Sequence, residues 1–266
     1  MPAALLNWLR GESKSVRYRF WYGPMEYLSL RLHRLRGGDY LTWYAGRMDG
    51  FVNFETLESG DSDALRQFEY YMNGDPNSLG IVKGFGLEPH HTLHEFGVGF
   101  LRTAQHFIEY LDAGNFSGND ASKARIEFGS EYLRRKMAFD AKRPQLIVNT
   151  DNSFDWMGDR KVDYFWSLAV FTHMPPEDIE ETFKNMRKIL KPDSVILFSY
   201  SEKDASCSVE RLNVKDWWHN FAFYADLAAR YGFEIEDVSE AMPESVHINA
   251  ATRLAKMRWR GEEATS

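Results

Sequence analysis

Hydrophobic and polar positions divide this chain into a front part without strand alternation and a longer part in which short apolar runs and helical stripes take turns. From residue 92 the pattern is regular. Thr92 and Leu93 read as the end of a strand, after which Phe100, Ala104, Phe107, Ile108 and Leu111 recur at the three-and-four spacing of one buried helix face. Gly114 stops that helix, and residues 116 to 119 form a second short strand that runs out on Asp120. A helix over 121–135 and a third strand over 145–149 follow. Residues 162 to 168 are almost continuously apolar, as a strand buried on both faces requires. The next helix begins between Thr172 and Asp178, with proline in its first turn and acids near its positive end. Ile179, Phe183, Met186 and Leu190 are its buried stripe, and Lys191-Pro192 its stop. Residues 195–200 give a fifth strand and 214–231 an aromatic-rich helix halted by Gly232, while 233–238 and 249–259 alternate as two more strands. The expected class is α/β.

Residues 1 to 75 predict instead a mostly helical cap. A short amphipathic helix over 1–10 puts Ala4, Leu5, Trp8 and Leu9 on one side, and a helix over 25–36 carries Arg31, Arg34 and Arg36. The segment 39–50 adds Tyr40, Trp43 and Tyr44. This mixture has two readings: a lid or anion-binding wall built on bidentate arginine, or a cap whose arginines face water. Beyond an acidic stretch, helices are expected over 64–72 and 77–85, parted by Asn73-Gly74-Asp75-Pro76. The expected division is a cap or lid over 1–75, a ligand-binding domain over 76–260, and a disordered tail over 261–266.

A strand, a glycine turn, a helix and a strand ending in a carboxylate are how an α/β protein builds a nucleoside pocket at the carboxyl end of its sheet. The turn here is His94-Glu95-Phe96-Gly97-Val98-Gly99-Phe100-Leu101. Its two glycines do not choose a ligand, so the neighbours must. Where a dinucleotide fold wants glycine or alanine the chain has Arg102. Glu95, two residues ahead of the first glycine, disfavours a pyrophosphate and suits a ligand with an ammonium and a sulfonium. Asp120 is placed to take two ribose hydroxyls. S-adenosylmethionine is favoured over NAD.

On these residues the chain resembles the class I S-adenosylmethionine-dependent methyltransferases. LHEFGVGFLRTAQHF is similar to their motif I, and VDYFWSLAVFTHMPPEDIEETFKNMRKILKPDSVILFSY to their fourth strand, following helix and fifth strand. Leu101 stands where a third glycine is frequent, and Asp193-Ser194 where a glycine turn is usual. The resemblance implies a seven-stranded Rossmann-like methyltransferase sheet with helices on both faces, its last two strands antiparallel. It also implies S-adenosylmethionine as cofactor and S-adenosylhomocysteine as product. The cofactor would be held by Glu95, Phe96, Gly97, Gly99, Asp120 and Ala121, with Ser167 and Leu168 at the tip of the fourth strand. Asp151 or Asn152, at the tip of the third, would bond the adenine amine or serve ordinary turn chemistry. By the same resemblance FEYYMNGDPNSLGIVKGFGL closes over the methionine end, which makes Tyr71 and Asn73 lid candidates.

Composition narrows the partners. With 32 Lys and Arg against 39 Asp and Glu the net charge is −7, and the later part of the chain shows no basic stripe of the kind that tracks phosphates, which disfavours nucleic acid. A single cysteine, Cys207, excludes an internal disulfide and a cysteine-ligated zinc site. No run is long enough to span a bilayer, and the first residues lack the apolar core of a signal peptide. A cytoplasmic protein is expected, with no membrane partner and an oligomeric state the sequence leaves open. His90, His91 and His94 invite a metal reading, but positions three apart on a strand face opposite sides of the sheet, so no metal is expected.

Methyl transfer from a sulfonium asks mainly for placement of the acceptor atom, and a base near its proton if the acceptor is a hydroxyl. His173, just past the fourth strand, is the expected base, with capping of the Pro175 helix as its alternative role. His219 and His247 are weaker candidates. Tyr200, at the end of the fifth strand, could orient the acceptor. Ser167 stands where metal-dependent O-methyltransferases bring carboxylates, so a metal-assisted route is disfavoured. The reading is a methyltransferase acting on a small-molecule or saccharide-like acceptor at O or N, walled by the front segment and residues 202–220. The alternatives are a protein methyltransferase and a degenerate scaffold that only holds cofactor.

Overall fold

A computed structural model describes residues 23–59, 62–74, 77–202, 217–243 and 252–259. The expectations for residues 1–10 and 261–266, and for Cys207 and His247, lie outside them.

The sheet strands are β1 (Leu93–Phe96), β2 (Phe116–Asp120), β3 (Gln145–Val148), β4 (Val162–Ser167), β5 (Leu190–Ser201), β6 (Phe233–Asp237) and β7 (Thr252–Trp259). They stand in the order β3-β2-β1-β4-β5-β7-β6, with β1 to β5 parallel and β7 antiparallel between β5 and β6. The order reverses between β1 and β4, which opens a crevice at their carboxyl ends. Consecutive residues on the central strands enter different cores. Trp166 and Leu197 join one cluster with Leu93, Phe107 and Leu254, and Phe165 and Ile196 join the other with Phe96, Phe183 and Phe198. That two-sided burial is what makes β4 and β5 continuously apolar in sequence.

The described residues open on two helices, α1 (Gly23–Leu35) and α2 (Tyr40–Asp49), the second started by the Asp39 carboxylate accepting from the Thr42 N–H at 2.8 Å. Leu30, Tyr40 and Trp43 pack between them, and Arg47 pairs with Glu26 at 2.9 Å. A short helix, α3 (Glu55–Glu58), leads to α4 (Asp63–Asn73) and α5 (Ser78–Gly84). The remaining helices are α6 (Ala104–Tyr110), α7 (Lys123–Lys136), α8 (Phe139–Lys142), α9 (Pro176–Met186) and α10 (Phe221–Arg230).

Several boundaries differ from expectation: Thr92 and Leu93, expected to end a strand, stand at the start of β1. The helix after β1 begins at Ala104 rather than Phe100, because residues 97–103 are spent on a turn in which Gly97, Gly99 and Leu101 all take positive φ (82°, 51° and 66°). The helix expected from 214 starts at Phe221, where the Asn220 side chain accepts from the Phe223 N–H at 3.1 Å and sets the cap. Lys191-Pro192 does not follow the helix directly: α9 ends at Met186 and β5 begins at Leu190. None of the helices among the described residues is long and apolar enough to cross a membrane.

Candidate cofactor and acceptor site

A cavity of about 410 Å³ lies at the carboxyl ends of β1, β2 and β4. Glu95, the third residue of β1, is 2% exposed, and its Oε1 accepts from the Thr103 hydroxyl in the turn that follows. Gly97 is needed there twice over: its φ is +82°, and a Cβ would sit 2.3 Å from Val170 Cγ2. At the tip of β2, Asp120 accepts from the Gly99 N–H through Oδ2 and from the Ser122 N–H through Oδ1, each at 2.8 Å. These two bonds tie the glycine turn to β2. A carboxylate oxygen has two lone pairs, so each still has one to offer a hydroxyl. Burial raises the Asp120 pKa, opposed by the Ser122 and Gly99 N–H bonds and by Arg125, with Asp49 adding to the rise.

A buried polar chain carries this order to β3. His94 bonds Ser117 at 3.1 Å and Asn119 at 2.9 Å, the Asn119 amide donates to Asn149 Oδ1 at 2.8 Å, and the Asn149 amide donates to the Asp151 carbonyl at 3.1 Å. The loop beyond then places Asn152 in the cavity wall, 2% exposed and with its Oδ1 unbonded. An unbonded buried carbonyl oxygen is costly unless a ligand donor reaches it, and an exocyclic amine is such a donor.

Of the residues expected from the sequence, Glu95, Phe96, Gly97 and Gly99 line the cavity, as do Asp120, Ala121, Asn152 and Leu168. Tyr71 and His173 reach it from the lid helix and from beyond β4. Five are not brought to it, among them the weaker candidate His219, which is fully buried against Phe223. Asn73 ends α4 outside the lining, and Asp151 turns its carboxylate onto Ser153, at 2.6 Å to the hydroxyl and 2.9 Å to the N–H. Ser167 donates to the Phe96 carbonyl at 3.2 Å, holding β4 to β1. Tyr200 corrects the expectation of an acceptor-orienting hydroxyl: it is fully buried, donates to Asp237 at 2.6 Å, and lies among Phe198, Phe221 and Tyr224. Its position on β5 made it look like a site residue, but alternation turns it into the core.

The cap supplies what sequence reasoning left undecided. Tyr40, Leu41 and Tyr44 of α2 line the cavity, the Tyr40 hydroxyl donates to the His173 carbonyl at 2.9 Å, and the Tyr44 ring stacks on the His173 ring at 6.1 Å and 24°. The lid candidate Tyr71 lies under the Arg102 guanidinium, 5.0 Å from its ring centroid, and Arg102 also donates to the Gly74 carbonyl. Arg102 therefore ties the lid to the glycine turn. Two lining residues had no clear sequence signal: Asn149, hidden as a strand end, and Asp178, which resembles an ordinary acid in a helix first turn. The His90 and His91 rings lie 4.2 Å apart, tilted by 43°, and no cluster among the described residues could hold a metal ion.

Residues 94–196 match the family model of a methyltransferase domain. Over that span the chain is similar to a methyltransferase domain, and its sheet has the fold of the methyltransferases below. The matched span runs from the start of the cradle in β1 to the middle of β5, so it covers the turn, both carboxylates and the segment after β4. Among solved structures the methyltransferase domain is similar to magnesium protoporphyrin IX methyltransferase from Synechocystis PCC 6803 with bound SAM, at a TM-score of 0.56 and 13% identity over 83% of this chain and 97% of that one. It is similar also to the glycopeptide N-methyltransferase MtfA complexed with S-adenosylmethionine, at a TM-score of 0.56 and 11% identity over 70% and 94%. The [4+2]-cyclase SpnF shares the fold at a TM-score of 0.50 and 14% identity over 65% and 76%. At such identities the likeness shows a fold.

Proposed function

We propose that this protein transfers the methyl group of S-adenosylmethionine to oxygen or nitrogen of a small-molecule or saccharide-like acceptor, without a metal ion. The observation that carries the reading is one continuous cavity that joins the Glu95 and Asp120 cradle to an aromatic wall from the cap. When bound, the cofactor supplies an electrophilic methyl carbon on a sulfonium. Glu95 and Asp120 hold its amino-acid and ribose ends, Asn152 accepts from its adenine amine, and Tyr71 closes over the methionine side.

Tyr40, Leu41, Tyr44, His173 and Met174 bound the acceptor space and keep water from it. Placing the acceptor atom within about 3 to 3.5 Å of the methyl carbon, in line with the leaving sulfur, accounts for most of what the protein must do. A cap of this kind over the crevice supports a compact acceptor over an extended polypeptide. The presence of the whole cradle supports turnover over a scaffold.

The test is calorimetry with S-adenosylmethionine and S-adenosylhomocysteine. Both should bind, and Asp120→Ala should weaken binding by about 10- to 100-fold, the effect of losing hydrogen bonds to a charged group. Absence of binding at millimolar ligand would overturn the reading. Release of S-adenosylhomocysteine across an acceptor panel then identifies the substrate class.

A further inference from the structure

Asp178 is a carboxylate without an evident structural task. It sits in the first turn of α9, where an acid favours the positive end of the helix, but no side chain makes a cap hydrogen bond there. Its Oδ2 is buried and has no hydrogen-bond partner. Arg34 from α1 pairs with the neighbouring Glu177 at 3.5 Å and reaches Asp178 only through its charge. The carboxylate instead forms part of the cavity wall, together with Tyr40, Tyr44, His173 and Met174.

We propose that Asp178 takes the proton released by the methyl acceptor, and that the acceptor presents an N–H or O–H on an uncharged or cationic apolar body rather than an anionic group. This rests on the methyl-transfer reading above. The acceptor's nitrogen or oxygen bonds to the methyl carbon as the sulfur–methyl bond breaks and leaves its electron pair on sulfur. The acceptor's proton passes to the ionised Asp178 carboxylate and from there to water.

Charge around the group supports both halves of the inference. Burial lifts the Asp178 pKa to about 7, and Glu177 and Glu181 on its own helix and Asp39 at the start of α2 push the same way, with Arg34 opposing them. A base poised near the working pH is the effective kind. Of the cations that line the cavity, Arg102 donates to Gly74 and lies over the Tyr71 ring, and Arg125 lies over the Phe100 ring at 5.3 Å and acts on Asp120 at the cofactor end. Beside Asp178 an anionic acceptor would meet its carboxylate, the rings of Tyr40, Tyr44 and His173, and Met174, with Arg34 of α1 the cation that acts on Asp178. An amine or hydroxyl on an aromatic or aliphatic body meets a proton acceptor and ring faces.

The experiment uses the full chain with tyramine, benzylamine, methyl glucoside and benzoate as probes, reading S-adenosylhomocysteine release from pH 5 to 9. Calorimetry with S-adenosylhomocysteine accompanies each variant. Turnover is expected with at least one of the first three probes and not with benzoate, with kcat rising through about pH 7. Asp178→Asn should bind S-adenosylhomocysteine as the wild type does, lose about 100-fold or more in kcat, and lose the acidic limb. His173→Gln should keep that limb. Turnover of benzoate alone, no turnover of any N–H or O–H probe, an Asp178→Asn enzyme with unchanged kcat and limb, or a limb abolished by His173→Gln would each overturn the inference. Failure of the wild type to bind S-adenosylhomocysteine would instead strike the methyl-transfer reading itself.

Discussion

His94 is fully buried in β1, and its two ring nitrogens are engaged by Ser117 and Asn119. Burial holds its pKa down to about 4, the Asn119 bond acting the other way and Arg160 adding to the fall. The ring is therefore neutral where the protein works. In the unfolded chain the same ring titrates near 6.5, so between pH 6.5 and 4 the unfolded state binds more protons and stability falls as pH drops. For His94 alone that is about 3 kcal/mol at full extent. His219, buried against Phe223 at 4.0 Å with its pKa also lowered to about 4 by burial, acts in the same window. We expect Tm to fall steeply from pH 6.5 to 4 and the slope to flatten in a His94→Asn variant; an unchanged slope would remove His94 from that account. In sequence, His94 stood among three histidines with metal-like spacing. Pairing with β2 makes it instead the start of the polar chain that orders Asn149 and the loop carrying Asn152, a role set by residues on three strands that no linear spacing displays.

At the scale of elements, the two departures from the family's glycine pattern have one explanation. Leu101 and Asp193 both adopt left-handed backbone, with φ of +66° each, so the conformation that glycine usually serves is kept and only the side chain differs. The strain at Leu101 is offset by complete burial of its side chain. Asp193 is exposed and has no such return. Asp193→Gly should therefore stabilise the protein by up to about 1 kcal/mol, read as a rise in Tm with no change in cofactor affinity; a fall in Tm would show that the aspartate side chain supports the turn. The succession of strands and most of the core stripes were legible because both are written in periodicity, whereas the arrangement of the sheet was implied only by the family resemblance. Helix starts were less so. Residues 100–103 have helical apolar spacing, yet hydrogen bonds from the Gly99 N–H to Asp120 and from the Thr103 hydroxyl to Glu95 hold them as a turn.

In the molecule as a whole, the cap is fastened to the sheet by polar contacts that join distant parts of the sequence. Asp49, the last residue of α2, accepts from the Ser122 hydroxyl at 2.6 Å and the Ala124 N–H at 3.0 Å, so the cap supplies the N-terminal bonding of α7. Asp49→Ala should cost about 1 kcal/mol as a lost helix cap. It should also raise KM for the acceptor more than the dissociation constant of S-adenosylhomocysteine, because the cap bounds the acceptor space; equal shifts in both would place the cap over the cofactor instead. The aromatic character of residues 39–50 was visible from the start. Arg31, Arg34 and Arg36 are exposed and none lines the cavity, as in the water-facing reading, while Tyr40 and Tyr44 of the next helix meet the segment after β4.

The bond from Tyr40 ends on the main-chain carbonyl of His173 and not on its imidazole. That bond is thereby indifferent to which amino acid occupies the position, unlike the stacking of Tyr44 on the imidazole. Evolution can exchange the imidazole for another group, retuning what enters the chamber, while its roof stays fastened.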